Sequence, residues 1–137
     1  MDIFISKEVG PCYGVRDAVD TAIKIAKENQ NGNIFSFGHI IHNPYTINLL
    51  ENTYRVRAIE SPKEVNSNAT VIIRTHGAKE EEIAEIRSKG ARIIDATCPF
   101  VLKTHKIVKK LHSDGYFIVI FGKKNHPEVI GTKGQIP

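Results

Sequence analysis

The sequence predicts an α/β fold, in which a parallel sheet is flanked by helices. Short apolar, β-rich segments alternate along the chain with longer segments whose apolar residues recur at helical spacing. Alternating strands and helices are typical of parallel sheets, because each helix returns the chain to the same end of the sheet. Prolines directly after Asn43 and Cys98 mark two helix starts, since proline is favoured at the first helical position.

The predicted strands are short apolar runs bounded by turn-forming residues. In chain order they are Ile3–Ile5, Ile34–Phe37, Tyr54–Ala58, Val71–Ile73, Ile93–Ile94 and Phe117–Phe121.

The first predicted helix starts at Gly14, where alanine, valine and isoleucine recur every three or four residues and charged residues take the other face. Two more amphipathic helices are predicted over Glu80–Lys89 and Pro99–Ser113. His105 and His112 lie on the apolar stripe of the second of these helices. We therefore expect both histidines to pack against the sheet or at its border.

This interpretation divides the chain into one α/β lobe over residues 1–97 and an incomplete second lobe over residues 98–137. After Phe117–Phe121 the sequence GKKNHPEVIGTKGQIP contains turn residues but completes no further strand and helix. We therefore expect a fragment of a larger protein whose sheet edge is left unpaired. Such an edge could also support a dimer.

The composition is that of an ordinary globular protein. Of the 137 residues, 41% are hydrophobic and 25% are charged, unlike the composition of disordered chains. The N-terminal segment lacks the basic flank and long apolar region of a signal peptide. No apolar stretch approaches the roughly 18 residues of a membrane span. We expect a cytoplasmic protein without a membrane partner.

The net charge of +4 favours an anionic partner. The basic residues form no block, and they do not alternate with aromatic residues as in a nucleic-acid-binding face. A small phosphorylated ligand fits this charge as well as anything larger, and no nucleic-acid partner is predicted.

Five residues with ligand chemistry lie at junctions between predicted strands and helices: Cys12, His42, His76, Cys98 and His126. The carboxyl ends of parallel strands border a shared crevice, where ligands bind in α/β proteins. A helix N-terminus attracts the thiolate form of cysteine, which binds metal or acts as a nucleophile. Both cysteines are therefore placed to react, and the alternative is that both are small buried residues.

The three histidines can donate hydrogen bonds to phosphate oxygens. Glu128 follows His126 by two residues and is a candidate proton donor to a substrate. The alternatives are surface histidines and an ordinary exposed glutamate. Without a CxxC pair the cysteines lack the signature of a zinc finger, and neither a GxGxxG motif nor a P-loop supports NAD or ATP.

The motifs GPCYGV, IHNP, VIIRTHG, DATCPFVLKTH and HPEVIGTKGQ occur in the order and spacing of the 4-hydroxy-3-methylbut-2-enyl diphosphate reductase family. The chain resembles the N-terminal portion of these iron–sulfur oxidoreductases, which catalyse the last step of the non-mevalonate isoprenoid pathway. The resemblance implies reductive dehydroxylation of a diphosphate substrate to isopentenyl and dimethylallyl diphosphate. It also implies three α/β lobes around a central cluster.

By the same resemblance, Cys12 and Cys98 would be two of the three thiolates that hold a [4Fe–4S] cluster. The third cysteine of the family is absent from this sequence, so turnover by the chain alone is not expected. Residues 1–13 are interpreted as containing an N-terminal strand that belongs to a missing third lobe.

The resemblance further implies that His42, His76 and His126 bind the substrate. His126 and Glu128 would be the catalytic residues, with Glu128 taking part in protonation. A ferredoxin or flavodoxin would donate electrons, and the lysines at positions 106, 109 and 110 are a candidate docking group for it.

Two other classes stay open on the residues alone. Cys12 and Cys98 could bind zinc together with histidines, or form a disulfide, in a small cytosolic metal-binding or thiol-redox module. The positive charge by itself would also fit a nucleic-acid or protein-interaction domain.

Overall fold

A four-stranded parallel sheet forms the centre of the molecule. The structure is a computed structural model that describes residues 2–6, 9–29 and 32–137. The strands are β1 (Ile34–Phe37), β2 (Val56–Ile59), β3 (Thr70–Ile73) and β4 (Arg92–Asp95). They are hydrogen-bonded in the order β2-β1-β3-β4, and every neighbouring pair is parallel. The predicted α/β class with a parallel sheet is confirmed.

Five α-helices connect or follow the strands: α1 (Tyr13–Glu28), α2 (Pro44–Asn48), α3 (Glu80–Ser88), α4 (Pro99–Ser113) and α5 (Pro127–Lys133). A π-helical turn over Leu49–Thr53 continues α2, and a 3-10 turn over Pro62–Glu64 follows β2. The helix starts predicted at Asn43 and Cys98 are confirmed. The Asn43 side chain accepts a hydrogen bond from the Thr46 amide at 3.0 Å, which is the expected N-cap.

Apolar residues cover both faces of the sheet, because successive strand residues point to opposite sides. On one face, alanines and isoleucines of α1 pack with strand residues: Ala18, Ala22, Ile25, Ala26, Ile34, Val56 and Ile72. On the other face, α3 contributes Ile86, which clusters with Phe35, Phe37, Val71 and Ile73. The two inner strands, β1 and β3, are buried along their whole length, so ligands can reach them only at their ends.

Two predicted strands are wrong for this structure. Ile3–Ile5 and Phe117–Phe121 lie outside all strands, and Phe4 and Phe121 are 93% and 105% exposed. The physical reason at Phe117–Phe121 is that a strand needs a hydrogen-bonded neighbour, and within the described ranges this run is part of no ladder. Residues 1, 7 and 8 of the predicted N-terminal strand region lie outside the described residues, and the division into two lobes stays a prediction.

The two histidines predicted on the apolar stripe of α4 differ in their surroundings. His105 is 6% exposed, as expected for a residue that packs toward the sheet. His112 is exposed, as are all residues from Lys109 to Tyr116. In the described part of the chain, no helix is long and apolar enough to cross a membrane.

Candidate active site

Three neighbouring strands place predicted site residues at one edge of the sheet. β1, β3 and β4 are parallel neighbours, and the loops that leave their carboxyl ends carry His42, His76 and Cys98. Because the three loops leave the same edge, residues separated by more than 50 positions are brought to one region. We refer to the carboxyl ends of these strands and their loops as the carboxyl edge.

The three predicted histidines form a cluster, the histidine triad. The ring centroids of His42 and His76 are 5.2 Å apart, and those of His76 and His126 are 5.7 Å apart. His76 is the central member and is partly buried, whereas His42 and His126 are exposed. Imidazoles at this spacing can contact different oxygens of one small anion.

The third histidine reaches the triad through the docking of α5. The Gln135 side chain donates hydrogen bonds to the carbonyl oxygens of Ala78 and Gly131, both at 2.9 Å. A Cβ atom on Gly131 would lie 3.0 Å from the carbonyl oxygen of His76, which is tighter than an ordinary van der Waals contact, so glycine favours this close approach. These contacts hold α5 against the loop that follows β3.

His126 is the N-cap of α5, and its ring also orders the catalytic candidate beside it. The Glu128 amide donates a hydrogen bond to His126 Nδ1 at 3.3 Å. When neutral, this ring therefore carries its proton on Nε2. The Glu128 carboxyl group lies in the first turn of α5 and is exposed, so a ligand at the triad can reach it.

The pKa of His76 is lowered, chiefly because burial disfavours the charged imidazolium. Electrostatic interactions with the nearby His42, Arg74 and His126 lower it further, and Glu128 acts in the opposite direction. His76 is consequently neutral at pH 7, with one nitrogen that donates and one that accepts. Its Nδ1 is buried and has no hydrogen-bond partner within the described ranges.

Both cysteines are N-caps of helices, Cys12 for α1 and Cys98 for α4. A Cβ atom on Gly14 would lie 2.8 Å from Cys98 Sγ, so this thiol sits against the first turn of α1, which Cys12 caps. The Cys98 amide donates a hydrogen bond to the Thr75 carbonyl at 2.9 Å, which joins the thiol to the His76 loop. Neither cysteine is in a disulfide.

Two thiols at neighbouring helix N-termini fit the soft, anionic ligands that iron–sulfur clusters require. They fit only part of a ligand set, however. Over residues 2–6, 9–29 and 32–137, no group of three or more histidine, cysteine, aspartate or glutamate side chains is arranged to hold a metal ion. The residues present therefore suit a cluster whose remaining ligands come from elsewhere.

Sequence reasoning missed two residues at the carboxyl edge. Thr75 is buried, and its hydroxyl donates a hydrogen bond to the Ile40 carbonyl at 3.0 Å, which ties the loop after β3 to the loop after β1. The Arg74 side chain passes so close to Gly38 that a Cβ atom added there would displace the guanidinium group, and the Arg74 Nε is buried. The only signal for either residue was its position beside His76.

The cavities are consistent with a site at this edge. A cleft of about 260 Å³ beside the triad is lined by residues that include Gly38, Arg74, Lys79 and Pro127. A larger groove of about 730 Å³ lies at the opposite end of the sheet and is bordered by Lys27, Tyr54 and Arg55. Neither cavity is lined by a predicted ligand residue, but the smaller cleft is bordered by Gly77 and Pro127, the sequence neighbours of His76 and His126, and we therefore place the candidate site on that side.

The sequence profile of the LytB protein family matches residues 3–137. The 4-hydroxy-3-methylbut-2-enyl diphosphate reductase of Helicobacter pylori (strain ATCC 700392 / 26695) is 46% identical over 132 residues, which are 96% of this chain and 46% of the relative. The protein of the same name from Aquifex aeolicus (strain VF5) is 44% identical over 136 residues, which are 99% of this chain and 46% of the relative. The chain spans about half the length of these curated relatives.

Two solved structures resemble the fold. One is (E)-4-hydroxy-3-methyl-but-2-enyl diphosphate reductase, described as the terminal enzyme of the non-mevalonate pathway; it has a TM-score of 0.82 and 44% identity, over 97% of this chain and 46% of that chain. The other is the E-1-hydroxy-2-methyl-but-2-enyl-4-diphosphate reductase from Plasmodium falciparum, with a TM-score of 0.87 and 32% identity, over 92% of this chain and 39% of that chain.

Proposed function

This chain belongs to the LytB protein family, and on that premise we propose that it forms the N-terminal part of a 4-hydroxy-3-methylbut-2-enyl diphosphate reductase. The proposed reaction consumes two electrons and two protons, breaks the allylic carbon–oxygen bond and releases water. Isopentenyl and dimethylallyl diphosphate are the proposed products. The observation that carries the proposal is the histidine triad, with ring separations of 5.2 and 5.7 Å, at the same edge as Cys98.

The triad is proposed to bind the diphosphate group of the substrate. His76 is suited to donate a hydrogen bond to a phosphate oxygen, because it is neutral and held by the surrounding loop. His42 and His126 are exposed on either side of it and can donate to further oxygens. Arg74 adds a fixed positive charge close enough to lower the pKa of His76, and this charge favours a dianionic or trianionic ligand.

Glu128 is proposed to hold the proton that leaves with the substrate hydroxyl group. Its carboxyl group follows the capping His126, whose Nδ1 accepts from the Glu128 amide. A proton delivered from this carboxyl group to the hydroxyl oxygen would allow the oxygen to leave as water. His126 would contact the substrate, and its hydrogen bond with the Glu128 amide would hold the backbone that carries the carboxyl group.

Cys12 and Cys98 are proposed to be two ligands of a [4Fe–4S] cluster. When bound, such a cluster supplies electrons one at a time and a Lewis-acidic iron for the hydroxyl group. The thiol of Cys98 is joined to the His76 loop by the backbone hydrogen bond from its amide to the Thr75 carbonyl. The side chains that bind the cluster and the side chains that bind the substrate would thus keep a fixed spacing.

The partners are proposals of the same kind. A ferredoxin or flavodoxin would donate electrons, and a cytoplasmic location would keep both thiols reduced. The lysine group at positions 106, 109 and 110 is a weak candidate for docking this donor, because Lys109 and Lys110 already form ion pairs with Glu80 and Asp114. Pairing of the unpaired apolar run Phe117–Phe121 with a second copy would give the proposed dimer.

Anaerobic reconstitution with iron and sulfide tests the cluster part of the proposal. Because the two thiols are only part of a ligand set, we expect the unmodified chain by itself to bind iron and acid-labile sulfide only weakly, and Cys12→Ser and Cys98→Ser to lose what it binds. A Ser113→Ala variant, changed at the far end of α4, is the matched control. Stoichiometric zinc binding without sulfide, when zinc is added back after metal-free purification, would instead support the metal-binding or thiol-redox module.

Binding of inorganic pyrophosphate tests the anion part separately. We expect the unmodified protein to bind it and His76→Gln to bind it on the order of tenfold more weakly, the typical effect of losing a hydrogen bond to a charged group. His112→Gln, which alters an exposed histidine of α4, should bind as the unmodified protein does. Equal affinity in all three proteins would contradict the proposed role of the triad.

A further inference from the structure

His105 is a buried histidine outside the candidate site. It is 6% exposed, and its Nε2 is buried without a hydrogen-bond partner within the described ranges. Burial lowers its pKa, the nearby Lys109 lowers it further, and Asp95, Glu128 and Glu80 act in the opposite direction. A neutral ring can pack against backbone without the cost of burying a charge.

The edge of the His105 ring lies against the turn that carries His76. A Cβ atom placed on Gly77 would be 2.7 Å from His105 Cε1 and 3.6 Å from Nδ1. Gly77 has φ +75°, and its amide donates to the Arg74 carbonyl at 3.0 Å, so it closes the turn over Arg74–Gly77. The imidazole therefore lies against the last residue of this turn, next to His76.

The same ring connects the turn to the helix of the second thiol. His105 lies seven residues after Cys98, which is about two helical turns, or roughly 10 Å along the α4 axis. The Cys98 amide meets the Thr75 carbonyl at 2.9 Å, which is a second link between α4 and the turn. Two contacts along α4 can fix both the position and the tilt of the turn, whereas a single contact would leave the turn free to tilt.

We propose that His105 is a positioning residue. Its ring lies against Gly77, supports the Arg74–Gly77 turn and thereby holds His76 within the histidine triad. This role rests on the proposed function, in which the triad binds a diphosphate group. The support comes from the body of the ring, since the contact with Gly77 is made through a ring carbon. A side chain of similar volume should therefore replace it, and a methyl group should not.

The test compares His105→Ala and His105→Leu with the unmodified protein, and uses His112→Ala as a matched control on the same helix. Affinity for inorganic pyrophosphate is measured under conditions in which circular dichroism shows each protein to be folded. We expect His105→Ala to bind on the order of tenfold to a hundredfold more weakly, because small displacements of a binding group have effects of this size. His105→Leu and His112→Ala should stay within about threefold of the unmodified protein.

Amide hydrogen exchange gives an answer that does not depend on the ligand. Gly77 and Gly90 both have φ +75° and both donate to the carbonyl three residues earlier, at 3.0 Å, so Gly90 serves as an internal reference. We expect His105→Ala to speed exchange at Gly77 by about tenfold relative to Gly90, as a local opening would. The same change should alter the side-chain signals of His76.

The two measurements separate the possible failures. If His105→Ala binds pyrophosphate normally and leaves Gly77 exchange and the His76 signals unchanged, the positioning role is wrong. If the unmodified protein binds no pyrophosphate, the diphosphate part of the proposed function fails, and exchange at Gly77 still decides the role of His105. Reduced stability with unchanged affinity and exchange would reduce His105 to a packing residue and would also overturn the proposal.

Discussion

Replacing Gly77 by alanine should destabilise the fold more than the same change at Gly90. Both glycines have φ +75°, a left-handed conformation that costs an L-residue about 1–2 kcal/mol. At Gly90 an added Cβ would meet nothing within 4 Å, so only this backbone cost applies. At Gly77 the Cβ would lie 2.7 Å from His105 Cε1, and overpacking of a well-packed site costs about 1–3 kcal/mol more.

The extra cost at Gly77 should disappear when the ring is removed. In a double-mutant cycle, His105→Ala opens the space that the new methyl group needs, so the double variant should be more stable than the sum of the single effects predicts. The expected coupling equals the steric cost, about 1–3 kcal/mol, which is within the range measured for contacting residues. Gly90→Ala combined with His105→Ala is the control and should show additivity.

Urea unfolding followed by circular dichroism at pH 8 measures these free energies, because His105, whose pKa is lowered in the folded chain, is neutral in both folded and unfolded chains at that pH. Equal destabilisation by Gly77→Ala and Gly90→Ala would refute the steric argument. An additive cycle at Gly77 and His105 would refute the contact itself, whatever the size of the single effects.

Three further predictions concern the site and its supports. Thr75→Val should lower the free energy of unfolding in urea by about 1–3 kcal/mol, because the Ile40 carbonyl loses its buried donor. The control Thr104→Val, on the exposed face of α4, should change the free energy of unfolding by less than about 0.5 kcal/mol. The free energy of unfolding should have its full value above about pH 6.5 and should fall as the pH drops below it. The reason is that the pKa values of His76 and His105 are lowered in the folded chain, so these histidines bind protons more readily in the unfolded chain. His105→Leu should flatten this pH dependence. Pyrophosphate binding at pH 7 should take up protons, because an anion beside neutral His76 raises its pKa, and calorimetry in buffers of different ionisation enthalpy should detect this.

The sequence was sufficient to predict the elements whose pattern is local. The apolar stripe from Val15 to Ala26 specifies α1, and the prolines after Asn43 and Cys98 specify where two helices begin. The strand prediction at Phe117–Phe121 was wrong, because β-rich composition describes a preference, whereas a strand is completed only by a neighbouring one. That information lies in the rest of the fold and not in the run itself.

The site could be predicted as a set of residues but not as a geometry. Placing His42 and His76 after parallel strands was enough to expect both at one edge of the sheet. The position of His126 depends instead on the docking of α5 through Gln135 and on the close approach of Gly131 to the His76 carbonyl. These contacts join residues more than 50 positions apart, and no periodicity in the sequence records them.

Buried contacts can position candidate site residues that are themselves exposed. His42 and His126 are open to solvent, and Cys12 is exposed as well. A buried layer lies against the loops that carry His42 and His76: there the Thr75 hydroxyl donates to the Ile40 carbonyl, and the His105 ring lies against Gly77. Because a buried hydrogen bond and a packed ring resist displacement more strongly than surface contacts do, substitutions in this layer should change ligand affinity as much as substitutions of the exposed histidines. The residues that touch the ligand would supply the chemistry, and the layer below them would supply the spacing.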